Sequence, residues 1–168
     1  MAKEKETEYE TKGVEPVRIV GWDRRYSEDF VRLNKEWIER YFRLEPCDLK
    51  VLSDPEGKII KPGGEIFFAL LGDKVVGCCA LIHHAGNPER YELAKMAVSP
   101  VAQGRGIGTR LGEALVAYAR AQGVRRLFLE ANTRLEPSVK LYRRLGFRDV
   151  VDGHAAYDRC NLYMEMDL

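Results

Sequence analysis

The stretch YELAKMAVSPVAQGRGIG, Tyr91 to Gly108, passes from a strand-like apolar run into a glycine-rich turn that opens directly onto an amphipathic helix. A junction of this kind suits an anion. Glycines let the backbone approach a ligand without side-chain obstruction, and the first helical turn offers unpaired N–H groups at the positive end of the helix dipole. The glycine spacing narrows the choice of ligand. A dinucleotide fingerprint reads G-x-G-x-x-G, but counting from Gly104 puts Thr109 in the last place and counting from Gly106 puts Leu111 there. No G-x-x-x-x-G-K-[ST] is present either. The pattern that does fit is Q-x-x-G-x-G, carried by Gln103, Gly106 and Gly108. An ordinary strand-to-helix turn would not need three glycines, since each one inside a helix costs about 1 kcal/mol.

Working outward, the chain of 168 residues suits one domain with a core large enough to need no staples. A net charge of +1 gives no global field toward nucleic acid or an anionic membrane, and no partner of either kind is expected. The apolar runs are too short to span a bilayer, and the opening MAKEKETEYETKG lacks the apolar core of a signal peptide. A cytoplasmic location is the expectation. Residues 1–13 read as a disordered charged tail and residues 14–168 as the folded domain.

Cys47, Cys78, Cys79 and Cys160 show neither a C-x-x-C pair nor zinc-like spacing, so they read as reduced packing residues. Cys78 and Cys79 point to opposite faces if they lie in a strand. The same alternation keeps His83 and His84 from sharing one metal, and no metal site is expected.

Val17 to Trp22 is β-rich, and Ser27 is placed to cap a helix whose Phe30, Leu33, Trp37 and Tyr41 recur at helical spacing. LEPCDLKVLSDPEGKIIKPGG then starts as a short helix and dissolves into a loop read as a flap over a site. Glu65–Leu71 and Lys74–His83 form a hairpin about Gly72-Asp73, and Tyr91–Val98 adds a third strand. The helix behind the glycine loop ends at Gly123, Val124–Ala131 is the next strand, and the next helix opens with Pro137 and closes at Gly146. Strands at Phe147–Val151 and Cys160–Asp167 finish the chain. The order β-α-α-β-β-β-α-β-α-β-β predicts a mixed α/β sheet with helices packed on it, because strands separated by a helix need a crossover.

Downstream of the glycine loop, RLFLEAN and EPSVKLYRRLGF bring Asn132 and Tyr142 into the same order. Together with Gln103, Gly106 and Gly108, these residues resemble the GNAT superfamily of N-acetyltransferases, and the resemblance runs from Val17 to the C-terminus. It implies a GNAT-like acyltransferase fold in which the strands ending at Val98 and near Asn132 run parallel and splay apart to receive acetyl-coenzyme A as co-substrate. The loop Gln103, Gly104, Arg105, Gly106, Ile107, Gly108 and Thr109 would cradle its pyrophosphate. Met96, Ala97 and Val98 would pair through their main chain with its amide-bearing arm, and a backbone N–H near Val98 would serve the oxyanion. Asn132 would bond the cofactor arm or a water, against its reading as a turn residue.

The implied activity is transfer of an acetyl group to a primary amine of a small molecule, amino acid or peptide, by direct attack in a ternary complex. An acyl-coenzyme A sensor without turnover is the alternative. Acetyl transfer needs a proton for the departing thiolate and a route for the ammonium proton. Tyr142 is the candidate acid. Glu92 and Glu130, on the strands flanking the cleft, are candidate bases, with Glu92 favoured and an ion pair to Lys95 as its structural alternative. Trp37, Tyr41 and Phe42 are candidate walls of the acceptor pocket, and Arg159 is a candidate partner for a substrate carboxylate. Exposed sheet edges leave a homodimer open.

Overall fold

The computed structural model describes residues 16–151 and 156–168, so the expected tail and part of the last loop lie outside the described residues. Among these, seven strands form one mixed sheet in the order β1-β2-β3-β4-β5-β7-β6. The strands are β1 (Val17–Val20), β2 (Glu65–Leu71), β3 (Lys74–His83), β4 (Tyr91–Val98), β5 (Arg126–Ala131), β6 (Arg148–Asp149) and β7 (Leu162–Asp167). The helices are α1 (Ser27–Tyr41), α2 (Pro46–Leu52), α3 (Ile107–Ala121) and α4 (Glu136–Leu145). The element order is the one the sequence predicts.

The central strands are apolar on both faces because both faces are covered. Ile66, Phe68 and Leu70 of β2 pack with Phe30 and Leu33 of α1, Leu52 of α2 and Ile59. Phe67 and Ala69 turn the other way, toward Ile107, Leu111 and Leu115 of α3. Cys78 and Cys79 divide between these two cores, as strand alternation requires. Each large side chain fully withdrawn from water contributes about 2 kcal/mol, so Phe30 and Leu111, both at 0% exposure, anchor their helices.

Three local readings are corrected. Ser27 is the first residue of α1 and caps nothing; Asp23 caps a short 3-10 turn before it by accepting from the Arg25 N–H at 2.9 Å. The expected flap is α2 followed by a single π turn, Glu56–Ile60, whose Ile59 is fully buried. A segment held by a core side chain is not a loose flap. The last strands are also shorter than expected, because Phe147 leaves β6 for the α3-side core and residues 160–161 run in the preceding loop.

Two irregularities in β4 position the site. Its parallel pairing with β5 covers only Tyr91↔Leu127 and Glu92↔Phe128, so the two strands part beyond Glu92. On the other side, the register with β3 slips between Ala80↔Ala94 and Cys78↔Ala97, which leaves one extra residue in β4. Lys95 sits in this bulge with φ +53°, the left-handed region that a lysine enters only when its surroundings hold it there.

Candidate active site

Where β4 and β5 part, a cavity of about 110 Å³ opens between them. Glu92, Lys95 and Met96 line it from β4, Glu130 and Asn132 from β5 and its end, and Tyr142 from α4. Trp37, Ile38 and Phe42 reach it from the end of α1, and Tyr157, Arg159 and Cys160 from the last loop. Of the expected site residues, Glu92, Met96, Asn132 and Tyr142 therefore converge. Ala97 turns its side chain into the α1-side core and has only backbone to offer.

Val98 lies further along β4, and its peptide faces the divergence. The Ser99 N–H donates to the Val76 carbonyl at 2.8 Å, so Ser99 faces β3 and Val98 faces the opposite way. The Val98 carbonyl accepts from Nε2 of Gln103 at 3.2 Å, which ties the glycine loop to this edge.

In that loop Gly104 and Gly106 adopt φ +79° and +70°, with open space where a Cβ would project. Gly108 has a different reason. A Cβ there would stand 2.9 Å from Leu141 Cδ1, so it lets α4 pack close to α3. Only Gly108 of the three lies inside the helix, whose first-turn N–H groups have no intrahelical acceptors. Arg105 is exposed beside them. The open loop, the helix start and the unpaired β4 edge fit a long ligand with an anionic end and an amide-bearing arm.

Glu92 is 7% exposed and its Oε1 lies 2.9 Å from His84 Nε2. The expected alternative partner is absent, because Lys95 turns to Asp48 at 2.6 Å and to the Tyr157 hydroxyl at 3.1 Å. Glu130 accepts from the Ala156 N–H through Oε1, while its buried Oε2 has no partner among the described residues. Burial, reinforced by the charge of Glu92, holds the Glu130 carboxyl above its ordinary value. Burial likewise pushes the Tyr142 phenol up, and it pushes the Cys160 thiol up to about 12.

Arg159 does not offer its guanidinium to the cavity. Its fork closes on both Asp48 oxygens at 2.6 and 2.8 Å, and Nη1 also meets Glu45 at 2.9 Å. Asp48 is fully buried, but Arg159 and Lys95 outweigh the cost of burying it and hold its carboxyl at about 2. The side chain of Asn132 is also engaged, donating to the Arg159 carbonyl at 2.6 Å and accepting from the Arg134 N–H at 2.8 Å. Trp37 and Phe42 wall the cavity as expected, whereas Tyr41 packs edge-on against Trp37. His83 bonds the Pro62 and Pro88 carbonyls, and no group of metal-binding side chains occurs among the described residues.

Residues 22–147 match the Acetyltransferase (GNAT) family. The chain belongs to the GNAT family. It is accordingly an acyl-coenzyme A-dependent N-acetyltransferase with acetyl-coenzyme A as co-substrate. This GNAT chain is 35% identical over 136 residues to an IAA acetyltransferase from Azospirillum brasilense, covering 79% of this chain and 87% of that one. An acetyltransferase of the GNAT family from Staphylococcus aureus Mu50 shares the fold at a TM-score of 0.81 and 19% identity, over 90% of this chain and 99% of that one. A GNAT superfamily phosphinothricin acetyltransferase from Sinorhizobium meliloti, solved in complex with acetyl-coenzyme A, superposes at 0.73 with 19% identity, over 90% and 88% of the two chains. Among the described residues of this GNAT enzyme, no helix is long and apolar enough to cross a membrane.

Asp48, His84 and Tyr157 are the site residues that sequence reasoning missed. The tyrosine of the AYDRC segment carried no periodic signal, and Asp48 looks like any acidic residue of a short surface helix.

Proposed function

We propose that the protein moves an acetyl group from acetyl-coenzyme A directly to a primary amine of a small molecule, amino acid or peptide, with both substrates bound together. The observation that carries this reading is the convergence of Glu92, Glu130 and Tyr142 on one cavity beside the unpaired edge of β4.

In this reading the Gln103 to Thr109 backbone and Arg105 hold the pyrophosphate. The main chain of Met96, Ala97 and Val98 aligns the pantetheine arm, and the Val98 N–H stabilises developing negative charge. Glu92 takes the ammonium proton and His84, half exposed beside it, connects that carboxylate to solvent. Tyr142 stays protonated and donates to the leaving sulfur. Asn132, whose amide is already bonded twice, orders the loop that closes the cavity.

Direct transfer is favoured over a cysteine-linked route because Cys160, the cysteine lining the cavity, has its thiol held too high to ionise near neutrality.

The test is titration calorimetry of the purified protein with acetyl-coenzyme A and, separately, with NAD, followed by an amine screen read by thiol release. Saturable binding of the thioester alone and release dependent on an amine are expected. Binding without release across a broad panel would instead favour a sensor.

A further inference from the structure

We infer that the acceptor is an aryl-alkyl ammonium that carries no carboxylate on the carbon bearing the amine, a refinement that rests on the amine-acetylating reading above. The cavity is lined by two carboxylates and, among its described residues, by no free positive charge. Glu92 and Glu130 both line it, and one buried oxygen of Glu130 has no partner among the described residues. An ammonium placed beside them would relieve the repulsion between the two carboxylates.

A free amino acid would bring its carboxylate within about 3 Å of its amine, and that group needs a cation. Lys95 and Arg159 are the two cations among the described residues that line the cavity, and both are committed. The Lys95 side chain is 3% exposed, and its ammonium is bonded to Asp48 and Tyr157. The Arg159 fork is occupied by Asp48 and Glu45. Because Asp48 stays ionised throughout the ordinary pH range, a substrate carboxylate would have to displace a fully buried one to gain either partner. Arg134, outside the cavity lining, rests on the Phe42 ring and donates to the Tyr41 carbonyl at 2.6 Å.

The remaining wall is aromatic and apolar. Trp37, Ile38 and Phe42 from α1, Leu135 ahead of α4 and Tyr157 from the last loop surround the space next to the carboxylates. Such a wall accepts a flat ring and rewards it over a second charge.

The experiment compares matched pairs with the full chain and acetyl-coenzyme A: tyramine with tyrosine, tryptamine with tryptophan, and 2-phenylethylamine with phenylalanine and phenylalaninamide, with putrescine as a non-aromatic diamine. The kcat/KM of each amine is expected to exceed that of its amino acid by about 100-fold, with the amide restoring most of the loss. Glu130→Gln is expected to raise KM for tyramine about tenfold while leaving the calorimetric affinity for acetyl-coenzyme A unchanged. Equal or better use of the amino acids, or preference for putrescine, overturns the inference and leaves acetyl transfer standing. So does failure of every compound while acetyl-coenzyme A still binds. Failure to bind acetyl-coenzyme A overturns the functional reading beneath it.

Discussion

His84 Nε2 lies 2.9 Å from Glu92 Oε1, joining a carboxylate inside the cavity to an imidazole that reaches solvent. A base at Glu92, as proposed above, needs such an outlet, since each turnover would leave it one proton to discard. Glu92→Gln is expected to lower kcat by about 100-fold in steady-state assays. An unchanged kcat would move the role to Glu130 or to solvent. His84→Gln, which keeps a hydrogen bond but not the imidazole, should fall between the two enzymes.

Tyr142, the proposed acid, would act on the other side of the reaction. Burial raises its phenol, so the proton lost only at high pH from free tyrosine is held even longer here. The enzyme should therefore lose no activity through this group as pH rises to 9. Tyr142→Phe is expected to cut kcat by about 100-fold and to change the Kd for acetyl-coenzyme A less than threefold, by calorimetry. Unchanged turnover would reduce Tyr142 to a packing residue.

Asp48 links stability to pH. Its folded value is about 2, below the ordinary carboxylate value of 3.8, so the stabilisation is fully present above about pH 4 and is lost as pH falls toward 2. The shift corresponds to about 2 kcal/mol. Asp48→Asn leaves Lys95 without a counter-charge and Arg159 with Glu45 alone, and should cost about 3–5 kcal/mol at pH 7. Urea melts at pH 5 and pH 2.5 should show the gap between the two proteins narrowing at the lower pH. A constant gap would mean that the pair contributes little.

Gly106 separates strain from crowding. A Cβ there meets nothing within 4 Å, but φ +70° is costly for any L side chain. Gly106→Ala is expected to cost about 1–2 kcal/mol, lowering the melting temperature by a few degrees. Acetyl-coenzyme A should bind at least tenfold more weakly to the variant, because backbone N–H groups rotated out of place no longer converge on one anion. Equal affinity would dissociate this loop from the pyrophosphate.

How far the sequence can be read divides along physical lines. Periodicity and turn chemistry are local, and they supply the order of strands and helices from Val17 onward. The glycine spacing and the downstream Asn132 and Tyr142 supply the family. The contacts that shape the cavity are not local. Glu45 and Arg159 stand 114 positions apart, and nothing near either residue announces the other. Arg159 has the residue type to bind a substrate carboxylate but spends it inside the protein. The bulge at Lys95 is equally hidden, because a positive φ at a non-glycine residue has no compositional mark. Gly108 was legible as a glycine but not as the reason α4 can approach α3.

The bulge at Lys95 also limits how this enzyme can change. The side chain that fixes its backbone is gripped by Asp48, 47 positions away, and by Tyr157, 62 positions away. Tyr157 lines the cavity from the last loop, while Asp48 stands behind it in α2. Substitutions at either partner reach β4 as well, the strand proposed to align the thioester. On the proposed mechanism specificity and catalytic rate are mutationally entangled, and a search for new acceptors should begin at Trp37, Phe42 or Leu135, which line the cavity without bonding the Lys95 side chain.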